Sequence, residues 1–342
     1  MPAVWEPVYL ARVGVSILPV LAFLACLISL DSFKLTPPLR VAGMIAAGCL
    51  AAVASYLLSA WWLGQWGRPF GSWAAAPPAE ELLKAAFVWW LFCTGRIGFT
   101  VEGAIYGFAI GAGFATAENL LYLGLLKDAG LFVWILRGLG TAVMHGGTTA
   151  TVGILTATFE HRGKWPRAGA FAVGLLIASG VHALYNSPLL PPVLAVCAIL
   201  LGAPALIAVT FVQSERALER WMGEGFDADL ELLDLISSGR FAETHAGHYL
   251  QSLRDSFQPT VVADMLCLLQ INAELAVRAK AELLKREAGL ASEPDPEVLS
   301  RLEEVRHLER QVGATGRLAL APLLAGPSRH LWQLRQLMVT QS

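Results

Sequence analysis

The feature that most constrains the fold is a series of seven apolar runs, all of which lie before or end at Val212. A helix needs about 20 mostly apolar residues to cross the hydrocarbon core of a bilayer. The runs are Val13–Leu30, Val41–Leu63, Glu80–Cys93, Phe99–Leu125, Leu131–Phe159, Ala168–Tyr185 and Pro192–Val212. The sequence therefore predicts an all-α, polytopic membrane helix bundle of about seven transmembrane helices, of which the third is the shortest.

The distribution of charge divides the chain into two parts. Only 19 of the 52 charged residues precede Val212, so we expect residues 1–212 to form a transmembrane domain. Residues 213–342 carry the rest, and apolar residues recur there at three- and four-residue spacing. This pattern predicts a soluble helical domain. The net charge of −2 gives no indication of a nucleic-acid partner.

Lysine and arginine in the short loops predict the orientation, because these residues are enriched in cytoplasmic loops. One side carries Lys34, Arg40, Arg96, Arg162, Lys164 and Arg167, and the opposite side carries Arg12, Arg68 and Lys127. The first set is larger, so we expect its side and the C-terminal domain to be cytoplasmic.

Two adjacent carboxylates stand at the start of the third run, in Pro77-Pro78-Ala79-Glu80-Glu81-Leu82-Leu83-Lys84. A charge within the bilayer costs at least ~2.5 kcal/mol. Lys84 follows Glu80 by four residues and Glu81 by three, so it can compensate them on one helix face. Prolines and acidic residues are also typical of a helix start. Both a functional role and a helix-start role are therefore open for the glutamate pair.

The fourth run combines glycines with buried polar residues. Gly103, Gly107 and Gly111 recur every four residues, a spacing that lets another helix approach closely. The segment Phe114-Ala115-Thr116-Ala117-Glu118-Asn119 then places a carboxylate and an amide deep in an apolar helix. Such groups are expensive in a membrane unless they face a polar cavity, so Glu118 and Asn119 are candidate site residues.

Two histidines lie in later runs. His145 lies deep in the fifth run, where a packing role and a site role are about equally expected. Arg137, nearer the end of that run, is expected to extend its charge to the interface. His182 and Asn186 in the sixth run are four residues apart and leave one helix face. A C-terminal helix cap is the alternative for this pair.

Collected together, these polar residues are suited to hydrolysis. A carboxylate can act as a general base, two close carboxylates can share a proton, and histidine and asparagine donors can stabilise an oxyanion. The sequence contains neither a GxSxG elbow nor an HExxH motif. The candidate catalytic residues are Glu80, Glu81, Glu118, His145, His182 and Asn186, with Lys84, Phe114 and Asn119 in support.

The ordered motifs resemble the PrsW family of bacterial intramembrane proteases, which is related to the CAAX prenyl endopeptidases. The resemblance rests on EExxK at Glu80–Lys84, FxxxEN at Phe114–Asn119, His145, and HxxxN at His182–Asn186. It covers about Trp61 to Asn186, with each motif on its own helix. The resemblance implies that residues 1–212 are a protease-like domain of the cell membrane. It implies hydrolysis of peptide bonds in membrane-protein substrates, one of which in this family is a single-pass anti-sigma factor.

The resemblance also implies individual roles. In the CAAX relatives the first glutamate of the pair activates water together with a histidine of an FxxxH motif, and a later HxxxN contacts the oxyanion. Carried over, Glu80 is the base and Glu81 assists it, while His182 and Asn186 stabilise the oxyanion. Glu118 occupies the place of the FxxxH histidine.

This departure at Glu118 leaves the catalytic type open. Glu118 could share a proton with Glu80 in a metal-free glutamic peptidase, which we favour because carboxylates outnumber histidines. Zinc usually takes three protein ligands and a water, and the set that would supply them is Glu118, His145 and His182. We therefore assign no cofactor and keep zinc as the alternative.

Other classes of membrane protein can use the same residues. The polar set could line an ion or solute pathway, but transporters usually show internal repeats and matching interrupted helices, and the sequence shows neither. A non-catalytic scaffold would usually have lost a motif residue, and the main ones are present. The helical periodicity of the C-terminal domain suggests that it binds a cytoplasmic regulator.

Overall fold

The computed structural model describes residues 7–66, 72–161, 166–290 and 296–324, and the regular structure in these ranges is helical. The helices are α1 Pro7–Ser29, α2 Pro38–Trp66, α3 Ser72–Cys93, α4 Thr100–Leu125, α5 Leu131–Leu136, α6 Ala142–His161, α7 Arg167–Asn186, α8 Pro192–Ser237, α9 His245–Ser252, α10 Pro259–Glu287 and α11 Pro296–Leu324. The chain forms two compact units, Met1–Ser214 and Glu215–Ser342, and α8 contributes to both. The predicted all-α fold is confirmed.

Six of the described helices contain segments long and apolar enough to cross a membrane. These segments are Pro7–Ser29, Pro38–Trp61, Thr100–Leu125, Arg167–Asn186, Pro192–Glu219 and Pro259–Glu287. Five of them coincide with predicted runs, in rough agreement with the prediction of about seven. The third run, in α3, and the fifth run, in α5 and α6, are not among the six. The sixth segment is α10, in the region predicted to be soluble.

The apolar face of α10 has protein partners within the second unit. Met265, Leu268 and Leu275 are almost fully buried, and α10 packs along α11. Lys280 of α10 also forms a buried ion pair with Asp229 at 2.6 Å. The apolar side chains of α10 are therefore buried within the second unit.

The start of α3 corrects one expectation from the sequence. Pro77 and Pro78 were expected at the helix start, but the helix begins at Ser72 and both prolines lie inside it. Three alanines precede the prolines, and alanine has the highest helix propensity, so this turn forms although each proline lacks an amide hydrogen. The glutamate pair consequently lies well inside α3, and the helix-start role for it is wrong.

The fifth apolar run is interrupted by a π-helical turn. The turn spans Arg137–Thr141 and joins α5 to α6. Such turns are rare and often occur at functional sites, where the extra residue changes the direction of side chains. In this molecule the turn begins with Arg137, whose side chain is only 17% exposed.

The central element of the first unit is α4, which packs against α6 and α2. Its glycines make this approach close, as the spacing predicts. A Cβ at Gly107 would lie 2.6 Å from the backbone oxygen of Thr149, and one at Gly111 would overlap the carbonyl of His145. On the other side of α4, a Cβ at Gly113 would overlap the backbone of α2. These contacts bring the polar residues of α4 and α6 together.

One contact bears on the predicted sidedness of the loops. The Arg12 guanidinium donates to the backbone oxygen of Lys127 at 2.6 Å, so the start of α1 and the end of α4 lie together, as their assignment to one side requires. Arg68, Arg162 and Lys164, which also enter that assignment, lie outside the described residues.

Candidate active site

Glu81 on α3 is the centre of a buried polar cluster. Its Oε1 accepts a hydrogen bond from Lys84 Nζ at 2.6 Å and another from Thr148 Oγ1 at 3.1 Å. His182 Nδ1 lies 2.8 Å from the same oxygen. The side chains of Glu81 and Lys84 are both 0% exposed. Within the described part of the chain, Glu81 Oε2 is buried without a hydrogen-bond partner, so this oxygen can accept a bond from a water or a substrate.

Glu80 and His182 face each other at the accessible edge of the cluster. Glu80 Oε2 lies 3.7 Å from His182 Nε2, and the Glu80 side chain is 16% exposed. Because Glu81 is a carboxylate, His182 Nδ1 carries the proton of that hydrogen bond. In the neutral ring, Nε2 is then an acceptor that faces the Glu80 carboxylate. The separation is too long for a direct hydrogen bond, so the pair can hold a water or a substrate group between them.

His145 on α6 carries its proton on Nε2, whereas His182 carries its proton on Nδ1. Lys84 Nζ lies 3.1 Å from His145 Nδ1, and an ammonium only donates hydrogen bonds. Nδ1 is therefore the acceptor, and Nε2 carries the proton, 3.4 Å from Glu118 Oε2. Phe114 packs against both groups, with its ring centroid 4.9 Å from the His145 ring and 4.9 Å from Lys84 Nζ. The phenylalanine of the FxxxEN motif thus packs against the cluster.

Glu118 and Asn119 on α4 are both bonded to Arg137. Arg137 donates to Glu118 Oε2 and to Asn119 Oδ1, each at 2.9 Å, and its guanidinium stacks on Tyr122 at 4.0 Å. The Asn119 amide donates to the backbone oxygen of Ser16 on α1 at 2.7 Å. Arg137, which was expected to extend to the interface, is bonded to the Glu118 carboxylate and lies at the start of the π-helical turn.

Asn186 lies apart from the other predicted residues. It is the last residue of α7, and its side chain is exposed. In the described ranges, no hydrogen bond or ion pair joins it to the cluster. Its predicted oxyanion role therefore stays a prediction. The other five candidate catalytic residues come together from α3, α4, α6 and α7.

Two residues of the cluster were missed by sequence reasoning. Arg137 could have been paired with Glu118, because intramembrane charges usually pair with one another. Thr148 could have been found from its position three residues after His145, which places both side chains on one face of α6. Threonines are common in membrane helices, so spacing alone gave little reason to select this one.

The cluster contains one group of residues with the donors for a metal. Single ligand atoms of Glu80, His145 and His182 all lie within 4.8 Å of one another. This set replaces the expected one, because Glu80 on α3 takes the place of Glu118, which is bonded to Arg137 instead. With zinc–ligand bonds of about 2.0–2.2 Å, two ligands of a tetrahedral ion lie roughly 3.4 Å apart. The 3.7 Å between Glu80 and His182 is close to this spacing.

The hydrogen bonds fit a metal well at one histidine and less well at the other. His182 donates through Nδ1 to Glu81, which is the usual partner arrangement of a metal-binding imidazole. His145 has the Lys84 ammonium opposite Nδ1, so its Nε2 carries a proton and must lose it before it can bind an ion. The donor types and spacing therefore fit a metal, after a change of protonation at His145.

Comparison with known proteins identifies one family. The sequence model of the PrsW family intramembrane metalloprotease matches residues 38–213, about half of the chain. This range contains the whole polar cluster described above. Comparison with curated proteins and with solved structures gave no match.

Proposed function

Since the chain belongs to the PrsW family of intramembrane metalloproteases, we propose that it is an endopeptidase that cleaves membrane-associated protein substrates within the bilayer. The family and the apolar helices identify a multi-pass membrane protein. One observation carries the proposal. Glu80 faces His182, and Glu81 holds the other nitrogen of that imidazole. Other hydrolases also place an imidazole between a reacting group and a carboxylate that orients the imidazole.

In this proposal Glu80 is the general base. Its partial exposure gives water access to a carboxylate in an otherwise buried site. The water oxygen attacks the scissile carbonyl carbon while Glu80 accepts its proton. As the tetrahedral intermediate collapses, the C–N bond breaks and this proton passes to the leaving amine. His182 can share it with Glu80, because the Glu81 carboxylate stabilises the imidazolium.

The remaining groups orient these residues. Lys84 compensates the charge of Glu81 and also bonds His145. Arg137 compensates the charge of Glu118. The family resemblance implies that His182 and Asn186, one helical turn apart, both contact the oxyanion. In this proposal His182 shares the proton of Glu80 instead, and Asn186 keeps the oxyanion contact. A rotation of this exposed side chain toward the scissile carbonyl would be needed, and we propose that substrate binding induces it.

A divalent metal is compatible with this site. Glu80, His145 and His182 would hold it, and zinc in such a site polarises the scissile carbonyl and activates the attacking water. Glu81 would then orient His182 as a metal ligand. We propose the metal-free glutamic type, because the three carboxylates of Glu80, Glu81 and Glu118 outnumber the two histidines of the cluster.

Proteolysis in liposomes tests the function. Wild type and Glu80→Gln are reconstituted with a library of single-pass membrane proteins, with Asp128→Asn as a control for loss of an exposed carboxylate. We expect wild type and the control to cleave and Glu80→Gln to be inactive while unfolding at the wild-type temperature. Metal analysis of the active protein decides the catalytic type, since a stoichiometric ion whose removal abolishes cleavage contradicts the glutamic type. Equal cleavage by Glu80→Gln would contradict the role of the base.

We propose a single-pass regulator of the anti-sigma factor type as the substrate, from the role of the family, and a cytoplasmic protein as the ligand of the C-terminal domain, residues 213–342. Affinity capture with the inactive Glu80→Gln protein tests both. A trapped single-pass protein that wild type cleaves supports the first proposal. A soluble partner that binds wild type and Glu80→Gln equally supports the second.

The cytoplasmic location of this domain is a separate proposal. Cys267 on α10 is exposed and can report it in a variant whose other four cysteines are replaced by alanine. A membrane-impermeant maleimide should label Cys267 in inside-out vesicles only. Labelling in right-side-out vesicles contradicts the orientation, and absence of labelling in both indicates that α10 lies in the membrane.

A further inference from the structure

A cavity of about 340 Å³ lies between α6, α7 and α8. Much of its wall consists of small residues, among them Gly147, Ala178, Ala195, Ala198, Gly202 and Ala203. Three residues that carry hydroxyl groups also line it, Thr148, Thr151 and Tyr185. Both the volume and the lining are typical of binding sites, which span about 300–1,000 Å³ and combine apolar walls with a few polar groups.

The cavity adjoins the catalytic cluster at Thr148. This residue lines the cavity, and its hydroxyl donates to Glu81 Oε1, the oxygen that His182 Nδ1 also contacts. A group in the inner end of the cavity therefore lies one side chain away from the residues proposed to cleave the peptide bond.

The cavity also opens toward the surroundings of the bundle. Ile177 and Leu184 on α7 line it and are 44% and 49% exposed, and Leu206 on α8 is 38% exposed. These apolar side chains form a rim on two neighbouring helices. A ligand can therefore reach the cavity sideways, from the lipid.

The volume favours a small occupant. About 340 Å³ lies near the lower end of the range for binding sites, which suits one or two side chains. In an intact helix the side chains surround the backbone to a diameter of about 10–12 Å, so the backbone of a substrate can approach the cluster only where its helix is unwound.

We infer that this cavity is a specificity subsite, which receives one or two apolar side chains beside the scissile bond from an unwound part of the substrate's transmembrane segment. The inference rests on the proposed peptidase function. A peptide fits better than a lipid acyl chain, because its amide hydrogens can donate to the hydroxyl oxygens of Thr148, Thr151 and Tyr185. An acyl chain has no polar group for them.

Filling the cavity tests the inference. A Cβ at Gly202 meets no heavy atom within 4 Å, so Gly202→Leu adds a side chain to the cavity wall without a backbone clash. Cleavage of substrates with leucine or phenylalanine beside the scissile bond should fall roughly 10–200-fold, and cleavage of alanine-containing substrates should be nearly unchanged. Gly43→Leu on α2 is the matched control, since a Cβ there also meets nothing within 4 Å. Equal loss for both substrate types in Gly202→Leu would overturn the subsite.

A binding measurement separates this inference from the proposed function. A peptide of about 20 leucine and alanine residues with lysines at both ends spans the bilayer and can carry a diazirine analogue of leucine. It is irradiated with Glu80→Gln protein in liposomes. We expect adducts within the segments that line the cavity, residues 147–151, 177–190 or 195–206. Adducts elsewhere, or equal capture of a diazirine-bearing phospholipid, would overturn the subsite. The measurement needs no cleavage, so a wild type that cleaves nothing contradicts only the proposed function.

Discussion

The ion pair between Lys84 and Glu81 sets the loss of stability that we expect when the charge of the lysine is removed. Nζ and Oε1 are 2.6 Å apart, and both side chains are fully buried. At an effective dielectric constant of about 20, unit charges at this distance attract each other by roughly 6 kcal/mol. Removing one partner of a buried pair costs about 3–5 kcal/mol, because the other charge stays buried without compensation. Lys84→Met should therefore lower the free energy of unfolding by about this amount.

Thermal unfolding in detergent micelles measures this change. Each kcal/mol shifts the Tm of a domain of about 150–250 residues by about 2–4 °C, and the compact unit concerned is Met1–Ser214. The expected decrease for Lys84→Met is therefore roughly 6–20 °C. Lys127→Met is the control, because that lysine is exposed, and it should unfold at the wild-type temperature.

A double variant tests the reasoning further. Lys84→Met with Glu81→Gln removes both charges, so no uncompensated carboxylate remains and most of the stability should return. The double variant should nevertheless be unable to hydrolyse substrate, because a neutral amide at position 81 cannot stabilise the His182 imidazolium. If Lys84→Met keeps the wild-type Tm, or if the double variant is no more stable than the single one, the account of this pair is refuted.

Three further substitutions test other parts of the site. Gly111→Ala adds a Cβ against the backbone of α6 and should destabilise the protein by about 1–3 kcal/mol, whereas Gly124→Ala, with open space around its Cβ, should have little effect on unfolding. Arg137→Gln removes a hydrogen bond to a carboxylate worth about 1.5–3 kcal/mol, so both the Tm and the cleavage rate should fall, and an unchanged rate would argue against a role in positioning. Thr148→Val removes a bond to Glu81 of similar size and should lower the cleavage rate more than Thr156→Val, whose hydroxyl bonds only a backbone oxygen; equal rates would count against Thr148.

The helical membrane fold and the identity of its unusual polar residues could both be predicted from the amino-acid sequence. Apolar length is a local property, so the runs could be read without a fold. Charged and polar groups are expensive in a membrane. This makes five residues stand out in the sequence: Glu81, Lys84, Glu118, His145 and His182. Their order along the chain also sufficed to indicate the family.

The different contacts of these residues, and therefore their different proposed roles, became apparent only from the three-dimensional structure. Glu81, predicted to assist, is held by three partners, while Glu80 keeps its exposure and faces His182. Glu118 pairs with Arg137, which lies at the start of the π-helical turn. As a result, Glu80 is the carboxylate that joins His145 and His182 in the group that could bind a metal ion. Such assignments depend on distances between different helices, which are set by close glycine contacts and are not encoded in local spacing.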